Sequence, residues 1–415
     1  MKLPALEAPS GQNWSCHGCS NCCRGGLLIT LDTADRNRIV EQKWTAADGV
    51  DPDSMIVPHG RGFRLGHQAD GACVFLSAEG RCRIHARFGE PAKPLACRLY
   101  PLTFHPAGPR IAVGVRFDCP SAVQNRGAAL SAQLEPMRHV APFALQGMPA
   151  SVPAPPVFAG RPVEWPEFHR VLQRLDALLA GTDAPLAHRL VRGLHALTGL
   201  EPLPLARLTG RLAEQVIETP FREALTSAAA ATLSATSPSL ISRVLLRQQV
   251  LEQARRTTVR ELQQTNRYRW FLLKAAFHFL SGTGRTTELG EGFGPVPFSK
   301  VEQVADSRTG EFDALLTRYL RVKLQTVSCC GVAFHGLSLQ DGFRALALQF
   351  AVIRWLAHWH AAAAGRTQPV TVDFEAAVRR ADHNWGHGRN PMAVLRLLVQ
   401  RGDLERLVLA TRMRS

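Results

Sequence analysis

The placement of the cysteines constrains this chain more than any other feature. Eight of the ten fall between residues 16 and 119, led by the run Cys16-x-x-Cys19-x-x-Cys22-Cys23 and followed by Cys73, Cys82, Cys97 and Cys119. Cys329 and Cys330 form a distant pair. Thiols gathered this way either cross-link or bind metal. Disulfide frameworks belong to short exported modules that cannot build a core. Here 415 residues, 46% of them hydrophobic, suffice for two or three cores at the usual ~150 residues per domain. The stretch Met1 to Gly11 has no apolar core of the kind an export signal needs. We therefore expect a cytoplasmic protein that ligates metal, because C-x-x-C lets one turn of backbone aim two sulfurs at a common centre.

Eight candidate ligands follow: Cys16, Cys19, Cys22, Cys23, Cys73, Cys82, Cys97 and Cys119. Three sulfurs at successive two-residue gaps are similar to the run that holds three corners of a 4Fe-4S iron–sulfur cube, whose fourth ligand comes from farther along the chain. Gly18, Gly25 and Gly26 permit the turns that wrapping a centre requires. Adjacent residues in extended backbone point to opposite faces, so Cys22 and Cys23 serve two centres or one of them is core. Eight thiols allow two four-ligand sites without requiring them. Arg24, Arg81, Arg83, Arg87 and Arg98 lie close enough in sequence to offset the charge of a thiolate centre. Zinc would use the same residues, since cysteine ligation does not separate Zn²⁺ from an iron–sulfur cluster. A zinc staple alone can contribute about 10–16 kcal/mol of apparent folding energy in small modules.

The pattern predicts a mainly α protein in which a small, loop-rich, metal-binding cysteine-cluster domain precedes an α-helical domain. The first spans 1–140, with a helix starting at the N-cap candidate Asp32 and running toward Trp44. A proline-dense stretch, 141–166, reads as a linker because proline at that density cannot continue helix. The helical domain spans 167–415. Apolar residues recur at helical spacing around Val171–Leu179, Ala187–Leu197, Leu240–Arg255, Val259–Leu280, Phe312–Val327, Gly342–Ala364, Phe374–Ala381 and Met392–Leu409. The glycine-rich stretch Gly282–Pro297 reads as a loop.

Forty-nine basic residues against thirty-four acidic ones give a net charge of +15. The arginines are dispersed along helices without interleaved aromatics, so no nucleic-acid platform is indicated. No apolar run reaches the ~18 residues of a membrane span, because Arg354, His358 and His360 interrupt the greasiest stretch. Cys329 and Cys330 read as a buried pair, Tyr319 as a core tyrosine, and His358 and His360, two apart, as ordinary helical histidines rather than metal ligands. Gly290-x-Gly292-x-Gly294 follows a helix, not a strand, and reads as plain loop rather than an adenosyl-cofactor cradle.

From about Ser15 to Pro120 the chain resembles the CxxCxxCC cysteine-cluster family, YkgJ-like proteins described as zinc- or iron-chelating. The resemblance is carried by Cys16 through Cys23, Ile29-Thr30-Leu31-Asp32 with Arg38-Ile39, Asp70-Gly71-x-Cys73-x-Phe75-Leu76, Cys82-x-Ile84-His85 and Pro94-x-x-Cys97-Arg98-x-Tyr100-Pro101. A more distant resemblance, to the flagellin lysine-N-methylases, adds Tyr319-Leu320, Gly336-Leu337-Ser338 and Asp382-His383-Asn384 in the helical region. It implies methyl transfer to a protein lysine with S-adenosylmethionine as donor. The alternative is a zinc-stabilised, non-catalytic adaptor whose basic helical body docks a protein partner.

Overall fold

A computed structural model describes residues 4–25, 28–148, 152–207, 210–226, 237–255, 265–304, 310–386, 388 and 390–410. It is 54% helical, with few strands, all of them before residue 116. The first two-fifths of the chain build two small sheets and a string of short helices. In chain order these are β1 (Ala5–Glu7), α1 (Asn21–Arg24), β2 (Thr30–Leu31), α2 (Thr33–Glu41), β3 (Ile56–His59), β4 (Gly62–Leu65), α3 (Arg83–Phe88), α4 (Leu95–Leu99), β5 (Leu102–Ala107), β6 (Arg110–Val115) and α5 (Pro120–Val123).

The two sheets belong to different cores. Sheet β2-β4-β3 is antiparallel, with Thr30 opposite Arg64 and Ile56 opposite Leu65. Its apolar face joins Ile39 of α2, Trp44, Phe75 and Ile84 in a core of its own. Asp32 caps α2 as its sequence position suggests: its backbone is extended and its carboxylate accepts the Asp35 N–H at 2.6 Å. Sheet β1-β6-β5 pairs β1 parallel and β5 antiparallel to β6. Residues 111–115 of β6 are all buried, and the sheet contributes to the large core of the helical body.

The body is built from helices Trp165–Ala180, Leu186–Leu200, Gly210–Thr226, Leu240–Ala254, Thr265–Ser281, Gly310–Gln325, Leu339–Ala363 and Thr371–His383, with shorter ones near the end of the chain. Leu339–Ala363 is buried almost all round, including Trp355 and Trp359. That is why it carries the most hydrophobic stretch of the sequence without crossing a membrane. No described helix is long and apolar enough to span one. The periodic stretch Met392–Leu409 divides into Met392–Gln400 and Leu404–Leu409. Gly402 turns there with φ +61°, and the buried Asp403 accepts hydroxyl hydrogen bonds from Ser239 and Ser242 at 2.6 and 2.5 Å. Helix Gly210–Thr226 went unread in the sequence because Pro220 sits inside it. Residues 259–264 of one expected helix lie outside the described residues.

Within the proline-dense stretch 141–166, the described residues 152–166 pack against the body. Val157 and Phe158 are buried in the large core, and the carbonyls of Pro156 and Val157 accept the Leu339 and Gln340 N–H groups at 2.8 and 3.0 Å. Gly282–Pro297 is a loop, fastened by Trp359 Nε1 donating to the Gly294 carbonyl at 2.8 Å and by Arg380 donating to the Leu289 and Gly290 carbonyls.

One buried carboxylate joins the segment after β6 to the body. Asp382 accepts the Phe117 N–H at 2.5 Å and pairs with Lys323 Nζ at 2.6 Å, both side chains being 7% exposed or less. Removing one partner of such a pair strands the other charge. Lys323→Met should therefore lower stability by about 3–5 kcal/mol in urea unfolding; an unchanged midpoint would show that the pair contributes nothing.

Candidate metal centre

The cysteine-bearing segments are held in place by three sets of contacts. Residues 20–23 are tied to the loop before α3: Cys73 N–H donates to the Cys23 carbonyl at 2.8 Å and Ser20 Oγ to the Gly80 carbonyl at 2.5 Å. Within that loop Leu76 N–H donates to the Cys73 carbonyl, Arg83 N–H to the Phe75 carbonyl, and Cys82 forms an isolated bridge with Leu76. Cys73 and Cys82 thus stand on facing limbs. The third segment, α4 with Cys97, is anchored by Asp35 on α2. Both Asp35 carboxylate oxygens accept the Leu95 N–H at 3.1 Å, Arg38 pairs with Asp35 at 2.7 Å and also reaches the Lys93 carbonyl, and Gln42 reaches the Ala92 carbonyl.

Cys22 and Cys23 share one helical turn, so the extended-backbone expectation of opposite faces does not apply. Their sulfurs are 3.9 Å apart. Cys73, Cys82 and Cys97 all pack against the small core. None of the ten cysteines forms a disulfide.

Electrostatics groups the sulfurs. The Cys73 thiol is pushed up to about 12, first by burial and then by Cys97, Cys82 and Cys22. Cys97 is pushed up to about 12 by burial, against the pull of Lys93, with Cys82 and Cys22 adding to the rise. Cys22 keeps accessible surface, yet its thiol is raised far above its ordinary range, mainly by the Cys23 sulfur and then by burial, with Lys93 opposing. The backbone contacts above bring residues 20–23 against the Cys73–Cys82 loop, and Cys73, Cys82 and Cys97 pack on one small core, with Lys93 acting on both Cys22 and Cys97. Among the described residues no three His, Cys, Asp or Glu side chains form a preassembled ion cage.

A second, looser group lies around Cys119 at the start of α5. Segment 14–17 runs beside 121–128, with Trp14 and Ser15 N–H donating to the Ala128 and Arg126 carbonyls and His17 hydrogen-bonded to Ser121 Oγ. Gly127 permits this approach: its φ is +103°, and a β-carbon there would meet Ser15 N at 2.4 Å. Cys119 is raised by burial, lowered by the Ala122 and Ser121 N–H groups and the Trp14 indole, and raised slightly by Cys19. The Trp14 Nε1–H is buried, and the Cys119 sulfur is the acceptor beside it, an arrangement that suits a thiolate. Cys16 lies exposed on the same segment. Cys329 and Cys330 are fully buried in the body, far along the chain from either group.

Tyr100 lies between the groups. Burial, Asp118, Cys119 and Cys22 all raise its hydroxyl, which donates to Asp118 Oδ1 at 3.1 Å. Burial would raise the Asp118 carboxyl too, but the His383 hydrogen bond and the Arg116 guanidinium override it and hold the group well below the usual carboxylate range. Arg116 contacts Asp118 Oδ2 at 2.7 Å and His383 Nδ1 lies 3.3 Å from it. From the same body helix, Arg379 reaches Asn21 of α1 at 2.8 Å and the Asp118 carbonyl. Tyr319 is buried, raised well above the ordinary tyrosine value by burial and Asp382, and meets Phe117 edge-on. His358 is buried, and His360 pairs with Asp373 at 2.6 Å. Asp35, Lys93, Asp118 and Trp14 were absent from the sequence reading, although all but Trp14 fall within the cysteine-rich span.

Residues 15–119 match the family model CxxCxxCC, described as a putative zinc- or iron-chelating domain. The match contains all eight clustered cysteines and ends on Cys119. No curated protein and no solved structure matches the chain significantly. Residues 15–119 are thus similar to that cysteine-cluster domain.

The raised thiols give a pH dependence with a definite sign. A folded-state pKa of about 12 against an ordinary 9.0 means folding favours the protonated thiol. That contribution is full below pH 9 and disappears as pH rises toward 12. In metal-free protein the stability gap between wild type and the double variant Cys73→Ala/Cys97→Ala should shrink between pH 8 and pH 11 in urea unfolding. A gap constant across that range would contradict the burial of these thiols.

Proposed function

We propose that residues 15–119 hold an iron–sulfur centre whose ligands are Cys22, Cys73, Cys82 and Cys97, with Cys23 beside it and Cys16, Cys19 and Cys119 available for a second site. The supporting observation is the shared neighbourhood of four thiols drawn from three separated stretches. The donor chemistry fits: sulfur alone, no disulfide, and the cation Lys93 close to two of the sulfurs. The iron–sulfur reading rests on the four-thiolate ligand set, which is the one such clusters take. Zinc would use the same four residues as a structural staple. A bound cluster would supply an electron-transfer or Lewis-acid centre; the chain supplies thiolates, a cation and a small core that fixes the three segments.

A second reading adds catalysis. Tyr319, Asp382 and His383, the positions similar to the flagellin lysine-N-methylases, meet the cysteine domain through Asp118 and Phe117. In that reading the ionised Asp118 fixes the Tyr100 hydroxyl and the His383 ring, S-adenosylmethionine is the methyl donor, and a protein lysine is the acceptor. Without it, the chain is an adaptor whose metal serves folding.

Anaerobic purification with metal analysis and a visible spectrum separates iron from zinc. The expected sample is brown and bleached by dithionite; a colourless one carrying zinc would reject the cluster. Single replacement of Cys22, Cys73, Cys82 or Cys97 by serine should lower bound metal and expose residues 15–119 to protease, whereas Cys330→Ser should leave the metal unchanged. Calorimetric titration with S-adenosylmethionine then tests the enzyme reading, which fails if no binding is seen.

A further inference from the structure

Behind the cysteine neighbourhood lies an open cavity of about 540 Å³, within the range of small-molecule sites. Its wall includes Ala72 and Val74, either side of Cys73, and Arg24, the residue after Cys23. Arg83 lies across Gly49, where a β-carbon would meet its Nη2 at 2.9 Å. The missing side chain at Gly49 gives the guanidinium its place. Arg83 Nε is buried and has no hydrogen-bond partner in the structure. Glu79 is exposed, and Arg83 makes no ion pair among the described residues. Arg24 likewise has no ion pair among the described residues. The Arg83 side chain lies on the cavity wall with hydrogen-bonding capacity unmet, and a ligand oxyanion there would supply an acceptor to its guanidinium.

The two carboxylates on the wall are engaged in turns. Asp51 accepts the Asp53 N–H at 3.1 Å and Asp70 accepts the Ala72 N–H at 2.9 Å. A ligand that carries hydroxyl or amino groups as well as its anionic group could donate to them.

We infer that this cavity binds a small anionic molecule, a phosphate or carboxylate, through Arg83 and Arg24. The site does not depend on which metal the cysteines hold. Phosphate and carboxylate present the same planar pair of acceptors to a guanidinium fork, so the test carries both.

The experiment is calorimetric titration of the full chain with inorganic phosphate and, separately, citrate, at constant ionic strength in chloride. Binding of either or both at one site is expected, phosphate alone identifying a phosphate ligand and citrate alone a carboxylate. Arg83→Met should weaken it by about 10- to 100-fold, the range for a hydrogen bond to a charged group. Arg83→Lys keeps the charge and removes the fork, so it should weaken binding while leaving the folded state intact by circular dichroism. Arg81→Met, the same charge change on a neighbouring exposed arginine, should have no effect. Absence of binding by both anions, or equal weakening in Arg81→Met, would overturn the site.

Discussion

Placing several sulfurs together in partly dry surroundings is the condition on which the N-terminal third rests. Each thiolate in such a place loses hydration and repels its neighbours, so the group is stable only when its charge is neutralised. Protons do this in the metal-free state, as the raised Cys73 and Cys97 thiols show. A metal would do it by releasing those protons. The small core beneath Cys73, Cys82 and Cys97 is apolar and neutralises no charge, while the Asp35 carboxylate fixes the start of the helix carrying Cys97.

The helical body closes the other side. Arg379 and His383, on one body helix, touch α1 and Asp118, while Asp382 on the same helix takes the Phe117 N–H and the Lys323 charge. Residues 116–119, which end on Cys119, are therefore tied to that helix by hydrogen bonds and ion pairs.

Much of this organisation was legible in the chain. Asp32 announced its helix, amphipathic spacing announced most of the body helices, and the eight cysteines announced a metal-type domain. What stayed hidden depends on distance in space. Nothing in the spacing says which cysteines come near one another, since that depends on where the loops fold back. Asp35 looks like a surface partner for Arg38 until α4 arrives above it. Pro220 conceals a helix that the local sequence would end, and tertiary packing on Gly199 keeps it there. The proline-dense segment looks like a spacer because composition reports stiffness, not the burial of Val157 and Phe158.

Residue-resolved alkylation of the full chain, read by mass spectrometry with and without bound metal, addresses the convergence of sulfurs most directly. Cys22, Cys73, Cys82 and Cys97 should lose reactivity together when metal binds, with the fully buried Cys329 and Cys330 unreactive in both states. Metal bound in stoichiometric amount while those four alkylate at their metal-free rates would contradict the account.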